Sequence, residues 1–213
     1  MIPFPDKKYN IIYADPAWTF KTWSNKGEEK SPKYDVMTIE NIKNLPVNEI
    51  IENDFYATPI DAIEDLIKYE KFDGDVWECS CGDGAISEPL IKAGYNVYSS
   101  DLIGRGYGDV KDFLTTNEKV DNIITNPPFN LATEFTIHGL NSINKKMALL
   151  CKLSFLEGKK RASVLFNQNK LKKVLIFSRR LGFKKNDKKG GLMAFAWFIY
   201  DVNYNGKPTI DWI

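Results

Sequence analysis

The chain has 213 residues and a formal net charge of +1, enough length for one substantial α/β domain but not for two with linkers. No apolar run approaches the ~20 residues that span a bilayer, and the opening Met1-Ile2-Pro3-Phe4-Pro5 is unlike a signal peptide, so a cytoplasmic protein with no membrane partner is expected. Three cysteines (Cys79, Cys81, Cys151) and one histidine (His138) predict a reducing compartment, no metal site and no histidine-based triad.

Residues 1–52 read as an appendage and 53–213 as one α/β alternation. Thr58-Pro59-Ile60-Asp61 has the pattern of a helix start: a capping hydroxyl, a first-turn proline and an acid. Ile60, Ile63, Leu66 and Ile67 then carry a helix to about Tyr69. A strand over 75–78 runs into the turn Cys81-Gly82-Asp83-Gly84, and a helix with Ile86, Leu90 and Ile91 on its apolar side ends at Gly94. Further strands are predicted over 95–99 and 120–125, then a helix from about Leu131 and a strand over 147–153. Two apolar runs, 174–178 and 192–200, read as an antiparallel hairpin at one edge. The predicted fold is α/β, a Rossmann-like, doubly wound, mostly parallel sheet.

Two loops carry chemistry. Glycines after a strand let backbone approach a ligand closely, and Asp101 follows Gly82 by 19 positions, where an acid can accept hydrogen bonds from a ribose diol. The sharper motif is Asn126-Pro127-Pro128-Phe129 at the end of a buried strand. The Asn126 side-chain oxygen and the Pro127 carbonyl can each accept one N–H of an aromatic amine. Gripping both hydrogens favours a pyramidal nitrogen whose lone pair can attack a sulfonium methyl, with Phe129 stacked on the ring. Trp77 and the Phe195, Trp197, Phe198 group read as core; Cys79 and Cys81 as fillers beside the glycine turn.

Residues 53–213 resemble the S-adenosylmethionine-dependent amino-methyltransferases of the adenine-specific DNA type, in the order with the cofactor motifs first. Phe55-Tyr56-Ala57-Thr58-Pro59 resembles the segment that contacts the methionine end of the cofactor. Glu78, Cys79, Ser80, Gly82 and Gly84 fall in the loop that is similar to the family's acidic-Pro-x-x-Gly-x-Gly, with Cys79 in place of proline. Asp101 and Leu102 match the ribose-binding position, Asp112 and Phe113 the pair that brackets the cofactor adenine, and Asn126 to Phe129 the catalytic motif. The stretch from Leu156 through Arg161 and the final Asp211-Trp212 are similar to small methyltransferases carried by phages and prophages. The resemblance implies methylation of the exocyclic amine of adenine in DNA, with S-adenosylhomocysteine as product and a bacterial or phage-infected host cell as setting. No span is long enough for the recognition region that site-specific members of restriction-modification systems carry.

The appendage holds Asp15-Pro16-Ala17-Trp18 after an apolar run, and it resembles the opening of the internal-mRNA adenosine methyltransferases, whose motif has proline where Ala17 stands. A second complete sheet does not fit, so residues 1–52 are expected to cover the site or contact substrate. Residues 1–144 hold 13 Lys+Arg against 24 Asp+Glu, and 145–213 hold 16 against 4, so charges of −11 and +12 sit on the two parts. Lys159, Lys160, Arg161, Arg179, Arg180, Lys184, Lys185, Lys188 and Lys189 are the candidate nucleic-acid contacts. The same chemistry on RNA or on a protein glutamine amide, and a catalytically silent nucleic-acid-binding or anti-restriction module, are the alternatives.

Overall fold

The computed structural model describes residues 57–183 and 193–213. The chain divides into two units, 1–54 and 55–213; the first, with the Asp15 motif, lies outside the described residues.

Eight strands form one sheet: β1 (Val76–Glu78), β2 (Val97–Asp101), β3 (Asp109–Val110), β4 (Val120–Thr125), β5 (Ile143–Lys152), β6 (Leu171–Ile176), β7 (Phe195–Asp201) and β8 (Thr209–Trp212). The order is β3-β2-β1-β4-β5-β7-β6-β8, and only β7 runs antiparallel, against both β5 and β6. The predicted antiparallel hairpin therefore exists toward one edge of the sheet, with β8 alone beyond it. The strand β7 is central, with the burial pattern of a fully covered strand, and β6 pairs on its far side with β8 in parallel. Reading the sequence missed β3 and β8, because two residues and an exposed Thr209-Ile210-Asp211-Trp212 carry no burial signal.

Among the described residues there are four α-helices: α1 (Ile60–Tyr69), α2 (Ser87–Lys92), α3 (Ala132–Ser142) and α4 (Lys159–Val164). Alternate residues of a strand face opposite sides, so β5 sends Met147, Leu149 and Cys151 to one core and Ala148 and Leu150 to the other. The first core takes Phe135 of α3, and the second takes Ile63 and Leu66 of α1 with Ile86 and Leu90 beside and within α2. Helices thus cover both faces, as expected of a doubly wound sheet. Trp77, Trp197 and Phe198 are buried core residues, as expected.

Two local expectations fail. Thr58 does not cap α1: Pro59 is the N-cap and makes no side-chain cap bond. The Thr58 hydroxyl is engaged elsewhere, by Asn126. Ile91 is half exposed, because a six-residue helix buries little more than Ser87 and Leu90. Among the described residues no helix is long and apolar enough to cross a membrane.

Candidate active site

Strand order reverses between β1 and β4, and ligand crevices of open α/β sheets lie outside the carboxyl ends of strands at such a point. Both chemistry-bearing loops start there. Glu78 ends β1, Asp101 ends β2, and Asn126 follows the last residue of β4.

The glycine turn is built by backbone. Cys81 N–H donates to the Ser100 carbonyl at 3.0 Å and Gly84 N–H to the Cys81 carbonyl at 2.8 Å. Gly82 sits at φ 55° and donates its N–H to Asp101 Oδ2 at 2.9 Å. The other carboxylate oxygen, Oδ1, accepts from Ile103 N–H at 2.9 Å. Asp101 is thereby locked against the turn that it was expected to complement, while each oxygen keeps a lone pair for a further donor. Leu102 beside it is 62% exposed, an apolar surface at the mouth.

Gly84 has a reason the sequence did not reveal. At φ 88°, a Cβ there would lie 2.5 Å from the Tyr107 ring. The close approach that requires glycine is made by this ring. Burial first, then the Glu88 charge, pushes the Tyr107 hydroxyl up, against hydrogen bonds with Ser87 and Ser99 that lower it.

Glu78 is fully buried. Its Oε1 lies 2.5 Å from Thr125 Oγ1 and accepts from Ser80 N–H at 3.3 Å, while Oε2 has no hydrogen-bond partner among the described residues. Burial pushes its carboxyl up to about 8, with the negative charge of Asp101 adding to the effect and the Thr125 and Ser80 hydrogen bonds opposing it. The neighbouring thiols are raised by burial too, Cys81 to about 12. Neither is a thiolate nucleophile at neutral pH.

Asn126 is half-buried. Its Nδ2 donates to Thr58 Oγ1 at 3.1 Å, and its main-chain oxygen accepts from Ser80 Oγ at 3.0 Å. Nδ2 is the donor of this side chain and Oδ1 its acceptor. Pro127 is buried and Pro128 half-buried. The Phe129 ring centroid lies 5.5 Å from that of Phe195, and Lys152 Nζ sits 4.8 Å over one face of Phe129. Lys152 ends β5, and nothing in its local sequence marked it.

The structure thus brings together Thr58, Glu78, Ser80, Gly82, Gly84, Asp101, Asn126 and Phe129 with their expected loops. Ala57 is half-buried, and Pro59 caps α1. Asp112 caps a 3-10 turn by accepting from Leu114 N–H at 3.0 Å, and Phe113 lies in the core, edge-on to Trp77 and His138. Phe55 and Tyr56 lie outside the described residues, as do Lys184, Lys185, Lys188 and Lys189.

Of the five candidate basic residues that are described, three are committed within the fold. Arg179 pairs with Asp61 at 2.9 Å and Asp65 at 2.8 Å of α1. Arg161 donates to the Phe155 carbonyl at 2.8 Å and stacks on that ring. Lys160 reaches Glu134 at 3.3 Å. Lys159 and Arg180 are exposed, and no carboxylate among the described residues pairs with them.

No protein-family model matches the chain, and no curated protein matches it. Solved structures do. A modification subunit described for a type I restriction enzyme of Vibrio vulnificus YJ016 aligns at TM-score 0.55 and 13% identity, over 75% of this chain and 47% of that one. A protein described as an RNA methyltransferase of Pyrococcus horikoshii aligns at TM-score 0.55 and 14% identity, over 70% and 88%. One described as a class I S-adenosylmethionine-dependent methyltransferase of Listeria monocytogenes gives 0.52 and 14%, over 82% and 69%. This chain spans about half the length of the Vibrio subunit. At these identities the likeness establishes the fold: a doubly wound, class I methyltransferase-like sheet, as expected.

Proposed function

We propose that this chain transfers a methyl group from S-adenosylmethionine to the exocyclic amine of adenine in DNA. The observation that carries the reading is the Asn126 motif beside the glycine turn at the switch point, with Thr58 engaging Nδ2. That bond engages Nδ2 and leaves Oδ1, a buried oxygen, as the acceptor of the amide. The restriction-enzyme modification subunit among the structural neighbours supports the choice of nucleic acid.

The residues present fit the cofactor. The ribose diol would meet Asp101, whose oxygens each accept one hydrogen bond among the described residues, and the adenine would lie on Leu102 near Asp112 and Phe113. The loop from Glu78 to Gly84, with the segment from Phe55 to Pro59, would hold the methionine end. When bound, S-adenosylmethionine supplies an electrophilic methyl on a sulfonium.

The chain's own residues do the rest. Asn126 Oδ1 and the Pro127 carbonyl grip the two N–H groups of the target, which draws the nitrogen lone pair out of conjugation. Phe129 supports the ring, with Lys152 over one of its faces. The base must leave the stack to reach this pocket. Asn126 cannot take a proton, so the proton of the methylated amine leaves to solvent.

Side-by-side assays with labelled cofactor on DNA, RNA and protein test the reading. Label in adenine of DNA is expected, with Asn126→Ala losing about a hundredfold or more in kcat while retaining cofactor binding. Label in RNA or glutamine alone would move the substrate; activity unchanged in Asn126→Ala would remove the catalytic motif.

A further inference from the structure

Three short contacts join the two loops of the site end to end. Glu78 Oε1 lies 2.5 Å from Thr125 Oγ1, Thr125 Oγ1 lies 2.6 Å from Ser80 Oγ, and Ser80 Oγ lies 3.0 Å from the main-chain oxygen of Asn126. Each is within hydrogen-bond range, so each needs a hydrogen. The Asn126 oxygen is a carbonyl and only accepts, so it takes the single hydrogen of Ser80. Ser80 then has none for Thr125, and Thr125 must donate to Ser80. Thr125 in turn has none for Glu78. Two hydroxyl hydrogens cannot serve three contacts, and the third must sit on Glu78 Oε1.

We propose that Glu78 is held as a neutral carboxylic acid and that, with Thr125 and Ser80, it positions the Asn126–Pro127 segment for methyl transfer. The positioning half rests on the methyltransferase reading; the proton count does not. With Glu78 ionised, one contact of the chain becomes two facing lone pairs.

The surroundings agree. The charged group that acts on Glu78 is Asp101 at the end of β2, whose negative charge favours the neutral form. Cys79 and Cys81 of its own loop are thiols held protonated by burial, and the Thr125 and Ser80 hydrogen bonds that oppose the neutral form are outweighed by burial. No cation appears among these groups. The chain matters because Pro127 has no N–H, so the Asn126–Pro127 peptide has no donor of its own to pin it. Ser80 pins it through the oxygen instead. The plane of that peptide sets where the Asn126 side chain and the Pro127 carbonyl point.

Infrared difference spectroscopy of the full chain against Glu78→Gln, in light and heavy water, reads the proton. A protonated-carboxyl band at neutral pH that is missing from the variant is expected; its absence overturns the proposal. Carbon-13 carboxyl resonances of the wild-type protein give the same answer if the variant does not fold. One glutamate titrating near 8 is expected, and none doing so overturns it. Kinetics read the positioning. Thr125→Val, which removes one link, is expected to lower kcat about ten- to a hundredfold with cofactor affinity kept, and Thr125→Ser to restore it. Wild-type kcat at saturating cofactor should fall as pH rises through about 8, while Glu78→Gln, whose amide N–H donates as the acid does, stays level. Full kcat in Thr125→Val overturns the positioning role. A protonated Glu78 in a protein that moves no methyl group sinks the methyltransferase reading and leaves the proton in place. Methyl transfer with an ionised Glu78 does the reverse.

Discussion

Glu78 and Gly84 show how single residues of the glycine loop answer to the fold before they answer to a ligand. For Glu78 the stability consequence has a definite sign. Its folded-state carboxyl holds a proton up to about 8, against an ordinary value of 4.5. Between those values the folded chain binds one proton more than the unfolded chain, so stability falls as pH rises. The slope from this group is at most about 1.4 kcal/mol per pH unit. Glu78→Gln, which cannot ionise, should flatten the decline, and denaturant titrations from pH 5 to 9 check it; a decline unchanged in the variant assigns the slope to other groups. Gly84→Ala meets both the left-handed φ and the Tyr107 ring. It should destabilise by about 1–3 kcal/mol. Tyr107→Ala in the same chain should recover the part due to the clash but not the backbone strain, a coupling that a double-mutant cycle measures.

At the scale of elements, one ionic cluster ties the end of α1 to the sheet. Glu70, 7% exposed just after α1, meets Lys146 of β5 at 2.6 Å and Lys173 of β6 at 2.9 Å. Lys172 stands 4.0 Å away and binds Asp201 of β7 at 3.2 Å. Burial by itself raises the Glu70 carboxyl, but the Lys146 and Lys173 bonds outweigh it and leave the group below its ordinary range. Its contribution is therefore present above the unfolded value of 4.5 and is lost as pH falls through the lower folded value. Glu70→Gln should cost about 1–3 kcal/mol at neutral pH and show a smaller deficit in acid. Equal deficits at both pH values would mean that charge is not what the cluster supplies. The lysines involved come from the stretch that sequence charge-counting read as basic surface, and here they are structural.

Over the whole molecule, five acids of the earlier part, Asp61, Asp65, Glu70, Asp121 and Glu134, answer part of the +12 of residues 145–213. Affinity for single-stranded DNA should fall with salt, each true contact adding about 0.7 to the slope of log K against log salt. Arg180→Gln is expected to lower that slope by roughly one contact. Arg179→Gln, held by two carboxylates of α1, should lower thermal stability with the slope kept. A slope that falls equally in both variants would show that Arg179 leaves its acids to bind.

The sequence by itself determined the strand–helix alternation, the position of both loops and the identity of the buried aromatic strand, because hydrophobic periodicity and Gly or Pro at strand ends are local signals. Asn126-Pro127-Pro128-Phe129 was legible for the same reason: residue types that serve an amine stood together in four consecutive positions. Tertiary structure alone decided the placement of β7 between β5 and β6, the Thr58–Asn126 bond across 68 positions, Tyr107 over Gly84, and the chain from Glu78 to Ser80. These are contacts between residues far apart along the chain. No local pattern encodes them, since the same residue types at the same spacing would satisfy their hydrogen bonds in water until the sheet forms and excludes it.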